Sequence, residues 1–214
     1  MPWNYVEFKD LCNAQGRRDS TVCHNALVFK QDFAEFHANQ AADAWSRLFT
    51  SGVPISIGGQ EWEEAGFAYE AYTEAAVQAL HPMADILAQI INLAILGGSL
   101  SEDQVSLAKV KKKLECIASD VLSAINVLEQ SQEFCYIAAF ANTIKHRRLI
   151  DISFHVEYGA GTSNTLGFRF DTFSYKRHTY PAVWGRDILE NYRLRVVDLI
   201  CDIGNTMNDF LRRC

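Results

Sequence analysis

From about residue 30 to 148, apolar positions along this chain recur at three- and four-residue intervals; beyond 150 they alternate. The first period is that of a helix with one buried stripe, the second that of a strand with one buried face. Over 30–49 the apolar residues Phe33, Phe36, Ala41, Ala44, Trp45 and Leu48 predict a helix, stopped by Ser51-Gly52-Val53-Pro54. Residues 1–28 are mixed, with a polar loop at Gly16-Arg17-Arg18-Asp19-Ser20. A second helix is expected over 62–80. Pro82 then either opens a new helix or kinks a long one, because it disfavours the α conformation at His81 and has no N–H to donate. Residues 83–96 are helical in both cases, and Gly97-Gly98 ends them.

Ser101-Glu102-Asp103-Gln104 reads as a capping box opening one helix of about seven turns, to roughly residue 130. Another helix follows over 133–147. Ile152, Phe154, Val156 and Tyr158 then alternate with Asp151, Ser153, His155 and Glu157, and Gly159-Ala160-Gly161-Thr162 supplies a turn. Residues 166–173 alternate likewise, completing a hairpin, with a third strand expected near 175–180. A final helix is expected over 184–211. With no repeat, low-complexity tract or linker, the pattern describes a single domain over 1–214. Its expected class is mainly α: an antiparallel helical bundle with a small antiparallel β-hairpin insertion at about 150–180, before the last helix.

Composition narrows the classes. The chain has 214 residues, of which 49% are apolar and 21% charged, which is ordinary for a globular protein. Its net charge of −6 argues against a wholesale nucleic-acid coat but leaves room for a local basic patch. The longest apolar stretch, 83–96, carries Asp85, Gln89 and Asn92 and is too short to span a bilayer. The first residues carry no signal-peptide pattern, so a cytoplasmic protein with no membrane partner is expected. None of the six cysteines forms a C-x-x-C pair, and reduced, buried thiols are the expectation.

Candidate chemistry concentrates in two places. Asp85, Gln89 and Asn92 fall on a narrow face of an otherwise apolar helix. Such a stripe faces solvent, pairs internally, or lines a cavity. Asn142 and His146 are one turn apart at the end of a second apolar helix, beside Lys145, Arg147 and Arg148. If Asp85 reaches His146, it would fix the tautomer and make the imidazole a usable acid or base. Capping of the helix C-terminus accounts for His146 and the three cations equally well.

Asn142-Thr143-Ile144-Lys145-His146 matches the second half of an R-x4-6-H signature at the end of a late helix, with Ala141 where the Arg would stand. On these residues, and on its helical pattern, the chain resembles the HEPN superfamily of nucleotide-binding, often ribonuclease-type helical domains. It is also similar to uncharacterised bacterial helical proteins carrying an N-x-x-K-H-R segment. The resemblance implies a homodimer that binds RNA or a nucleotide and, in catalytic members, cleaves RNA without metal or cofactor. It would make His146, Asn142 and Asp85 the catalytic set and Lys145, Arg147 and Arg148 the phosphate site, with Gln89 and Asn92 a supporting polar ridge. Replacement of the signature Arg by Ala141 implies weak or absent cleavage.

Other motifs are missing. Gly58-Gly59 and Gly97-Gly98 lack the Lys-Ser/Thr of a phosphate loop, and neither G-x-S-x-G nor H-E-x-x-H occurs. Tyr175-Lys176-Arg177-His178 mixes cations with aromatic rings, a composition suited both to stacking on nucleobases and to blunting an edge strand. Two function classes follow: an RNA- or nucleotide-binding protein, or a non-catalytic homodimeric interaction module in which the same residues are structural.

Overall fold

The computed structural model describes residues 1–50, 53–54, 57–157 and 165–214, with backbone alone at 50, 53 and 54. The expected turn at Gly159-Ala160-Gly161-Thr162 lies outside the described residues, as does Tyr158. The chain is mainly α, and a small antiparallel sheet precedes its last helix. The described residues form two compact units: Met1–Asp32, Leu80–Cys135 and Arg195–Cys214 in the first, Phe33–Ala79 and Tyr136–Leu194 in the second. No helix among them is long and apolar enough to cross a membrane.

The first unit contains α1 (Tyr5–Ala14), the start of α2 (Asp19–Arg47), α4 (Met83–Ala94), α5 (Leu107–Leu114), α6 (Ser119–Gln130) and most of α9 (Arg193–Leu211). Pro82 opens α4 as a new helix: its carbonyl accepts the Ile86 N–H at 3.0 Å. The single seven-turn helix expected after residue 101 is instead two. Ser101 makes no side-chain cap, and Glu102–Gln104 form only a 3-10 turn. The working cap is Ser106, whose Oγ accepts the Lys109 N–H, and the helix breaks again before Ser119. The 1–28 segment is more helical than expected, because α2 begins inside the anticipated polar loop. Phe8, Leu87, Ile91, Leu114, Ile125 and Ile203 are buried in this unit.

Trp3 ties the N-terminus to α9. Its indole N–H donates to Asn208 Oδ1 at 3.3 Å, Asn208 Nδ2 donates to the Asn4 carbonyl at 2.8 Å, and the ring covers Gly204, where a Cβ would overlap Trp3 Cδ2. The Asn4 side chain in turn caps α1.

The second unit contains the rest of α2, α3 (Gln60–Leu80) and α7 (Gln132–His146), apart from their residues beyond the unit, together with the strands. On α2 the buried stripe is Ala34, Ala38, Ala41 and Ala44, continued by Leu48 just past its end. Phe33 and Phe36, expected in the apolar stripe, are exposed. Small residues let Trp62, Ala65 and Tyr69 of α3 join the same core cluster. A two-residue pair, β1 (Phe49–Thr50) with β2 (Val53–Pro54), follows α2.

The main sheet has the order β3 (Ile152–Glu157), β4 (Thr165–Phe170), β7 (Val183–Trp184), all antiparallel. Phe154 faces Phe168 across the β3–β4 ladder. The third strand is therefore Val183–Trp184. Residues 175–180 belong instead to a separate hairpin, β5 (Phe173–Tyr175) with β6 (His178–Tyr180). A one-turn helix α8 (Gly185–Asp187) and a π-helical turn, Ile188–Tyr192, lead into α9.

Candidate functional site

Helix α7 ends where its apolar run ends. Tyr136, Ile137, Phe140 and Ala141 are buried, whereas Lys145, His146, Arg147 and Arg148 are exposed. The Arg147 and Arg148 N–H groups both donate to the Thr143 carbonyl, closing the last turn, and the partial negative charge of that terminus favours the cations. Asn142 Nδ2 donates to the Ala138 carbonyl at 2.7 Å, a bond to its own helix. Ala141 is only 3% exposed, so the position of the signature Arg is a packed one.

The Arg147 guanidinium sits over the Tyr175 ring at 5.0 Å, and the Lys176 ammonium approaches the same ring at 5.3 Å. This contact joins the cations of α7 to the tip of the β5–β6 hairpin. The two tip residues, Lys176 (φ 48°) and Arg177 (φ 65°), both occupy the left-handed region. A two-residue hairpin of this hand requires that conformation twice and normally uses Asn-Gly. Two long cations there store backbone strain of about 1 kcal/mol or more. Among the described residues none of Lys145, Arg147, Arg148, Lys176 and Arg177 makes an ion pair.

The polar ridge belongs to the first unit, Asn142 and His146 to the second. Asn92 is buried, and its amide is used at both ends: Nδ2 donates to the Leu100 carbonyl at 2.9 Å and Oδ1 accepts the Leu100 N–H at 3.1 Å. Gln89 donates to the Glu102 carbonyl at 3.0 Å. Both residues thus hold the loop after α4. Asp85 is exposed in the first turn of α4, where a carboxylate complements the helix N-terminus. Only Cys12 of the six cysteines is buried; Cys116 and Cys214 are exposed, against the expectation of buried thiols.

No family model, curated protein or solved structure matches this chain.

The second unit also holds a cleft of about 400 Å³ that no sequence motif marks. Its aromatic wall is Trp45, Tyr69, Phe168 and Trp184, and its charged groups are Arg186, Glu190 and Arg193. The wall is locked in place. Gly167 lies against Trp184, where a Cβ would come within 3.3 Å of the indole, and the Arg169 guanidinium covers that ring at 5.5 Å. Arg169 is in turn bonded to Glu157 at 2.9 Å. Gly185 lets the start of α8 approach Tyr69, since a Cβ would meet its Oη at 2.6 Å. Burial raises the Tyr69 phenol pKa, the Glu190 carboxylate adds to the rise, and Arg186 opposes it, so the hydroxyl stays protonated. The π-helical turn supplies Leu189 and Glu190 to the cleft, and such turns recur at functional sites. In the sequence the only hints were tryptophans and an Arg-rich start to the last helix, neither specific. Among the described residues no group of His, Cys, Asp or Glu is disposed to hold a metal ion.

Proposed function

We propose that this chain binds single-stranded RNA through the cation cluster of Lys145, Arg147, Arg148, Lys176 and Arg177, with Tyr175 as the aromatic element at its centre. The carrying observation is the Arg147–Tyr175 contact, which gathers two separate runs of cations onto one aromatic residue. The left-handed conformations of Lys176 and Arg177 support the same reading. A hairpin tip that forgoes Asn-Gly for two cations gives up local stability, and phosphate binding is a reason to do so. Blunting a strand edge would need one lysine and no strain.

The reading assigns binding rather than cleavage. His146 is exposed beside the cluster, where it would contact a phosphate oxygen, with Asn142 one turn earlier on the same helix. Asp85, Asn142 and His146 as a catalytic set would need the cation that Ala141 replaces. The resemblance to HEPN domains also carries a homodimer, for which sedimentation equilibrium at high micromolar concentration is the measurement.

The test is binding of a fluorescein-labelled single-stranded RNA of mixed sequence. The double variant Arg147→Ala/Arg148→Ala should weaken binding about a hundredfold or more, since each lost charge-assisted contact accounts for about 1.5–3 kcal/mol. No metal-independent cleavage of the RNA is expected. Rapid cleavage that disappears in His146→Ala would overturn the assignment to binding alone. Absence of binding would leave the non-catalytic interaction module as the reading, and binding indifferent to the double variant would place the RNA surface elsewhere on the molecule.

A further inference from the structure

RNA binding leaves the cleft of the second unit unused. We propose that this cleft binds a small planar aromatic anion: one ring system carrying a single phosphate or carboxylate group. The proposal does not depend on the RNA reading.

Size sets the first limit. About 400 Å³ is within the range of small-molecule sites and too little for a folded partner's side-chain cluster or a polymer. Surface chemistry sets the second. Trp45 and Trp184 are half-buried aromatic residues and Phe168 a buried one, which favours a flat apolar ring. Charge sets the third. Arg186 and Arg193 both line the cleft, and neither makes an ion pair among the described residues. Among the described residues of the lining Glu190 is the one carboxylate, so those residues carry a net charge of +1. A neutral ring would leave the half-buried Arg193 uncompensated, and Glu190 would repel a chain of several phosphates. A monoanion, or a phosphate shared between both guanidiniums, matches the wall.

Preorganisation is the fourth observation. Arg193 is held to the preceding π-helical turn by donation from Nε to the Leu189 carbonyl at 2.9 Å, which leaves its terminal amino groups for a ligand. Trp184 is fixed between Gly167 and Arg169, and Tyr69 against Gly185. Side chains ordered before binding lose less entropy when a ligand arrives. The π-helical turn sets Glu190 between the two arginines in sequence while all three line the cleft.

Two sources share this chemistry, a nucleoside monophosphate and an aromatic carboxylic acid, and the experiment separates them. The full chain is titrated with adenosine 5′-monophosphate and with indole-3-acetate, by calorimetry and tryptophan fluorescence. Adenosine and inorganic phosphate are the controls. The expected result is saturable one-to-one binding of at least one anion, tenfold or more tighter than either control. Preference for the monophosphate identifies a nucleotide-type ligand, and preference for the acid an aromatic carboxylate. Arg186→Ala and Arg193→Ala should each lower the affinity about tenfold. Ala42→Phe, an exposed lining position on α2, should abolish binding by filling the mouth while leaving the thermal melt unchanged. Arg147→Ala/Arg148→Ala should leave it intact, which separates this site from the RNA surface. If neither anion binds more tightly than about 1 mM, or if Ala42→Phe binds as well as the unmodified chain, the proposal is wrong.

Discussion

Buried among the rings of Trp3, Tyr5 and Phe8, the His24 imidazole loses its water, and its pKa falls from 6.5 to about 4. Its Nδ1 has no hydrogen-bond partner among the described residues, so none of them offsets the cost of charging it. The unfolded chain therefore binds a proton at His24 more readily than the native one. Stability from this residue is complete above pH 6.5, declines as pH falls toward 4, and is lost below that, with a total on the order of 3 kcal/mol. Urea unfolding at pH 7.5 and pH 4.5 should show this decline, and His24→Phe should remove that portion of it. An unchanged pH dependence in the variant would place the titration elsewhere. At this scale the sequence was legible where spacing carries meaning: Asn142 and His146 do share α7, and the cations do emerge at its end. It was silent on partners. Nothing in the spacing of Gln89 and Asn92 tells that their amides bond the backbone of Leu100 and Glu102. A buried amide with both ends satisfied looks, in sequence, like one lining a cavity.

Elements were legible where the apolar period was long and uninterrupted. Helix α3, helix α4, helix α7 and the β3–β4 pairing all follow their patterns, while the choice between a new helix and a kink at Pro82 was left open by the sequence. The missed break between α5 and α6 has a definite cause. Leu107, Val110, Leu114, Ala118, Val121, Ile125 and Leu128 are all buried at three- and four-residue spacing, so the apolar phase runs on through the interruption. The β5–β6 hairpin was missed because its turn residues are a Lys and an Arg where Asn-Gly would have announced it. That departure is testable at the same scale. Lys176→Asn/Arg177→Gly should relieve the left-handed strain and raise stability by about 1 kcal/mol, or about 2–4 °C in Tm, while weakening RNA binding. A variant that is both less stable and fully competent in binding would show that the tip residues are placed for packing. Helix α9 offers a second test through the contact of Trp3 with Gly204. Gly204→Ala should destabilise by about 1–2 kcal/mol, because the added methyl displaces the indole. In a Trp3→Ala background the same change should become neutral or stabilising, since Ala exceeds Gly in a helix interior by about 1 kcal/mol. Additive effects in that cycle would disprove the contact.

At the scale of the whole molecule, the change of period beyond residue 150 was enough to tell a mainly α chain with strands before its last helix. The division into two compact units left no mark in the sequence. The chain passes between them within α2, α3, α7 and α9, and a change of unit inside a helix brings no Gly, Pro or Ser tract. The cleft was equally hidden, because its wall is drawn from α2, α3, β4, β7 and the π-helical turn, far apart along the chain. Charge shows the same separation between a total and a location. The chain carries −6 overall, so nonspecific attraction to a polyanion is weak, and the proposed RNA binding would have to come from the local cluster. That makes the salt dependence a sharp measurement. Neutralising a phosphate of a single strand releases condensed cations with a slope of about −0.7 per contact in log K against log salt, so Lys145, Arg147, Arg148, Lys176 and Arg177 acting together predict about −3.5. Arg147→Ala/Arg148→Ala should flatten the slope by about 1.4, and Lys176→Asn/Arg177→Gly by the same amount. Equal losses from two segments nearly thirty residues apart would mean that one strand of RNA touches both, as proposed for the cluster that the Arg147–Tyr175 contact brings together. If only one pair changes the slope, the cluster is not a single surface for RNA; if neither does, binding lies elsewhere on the molecule.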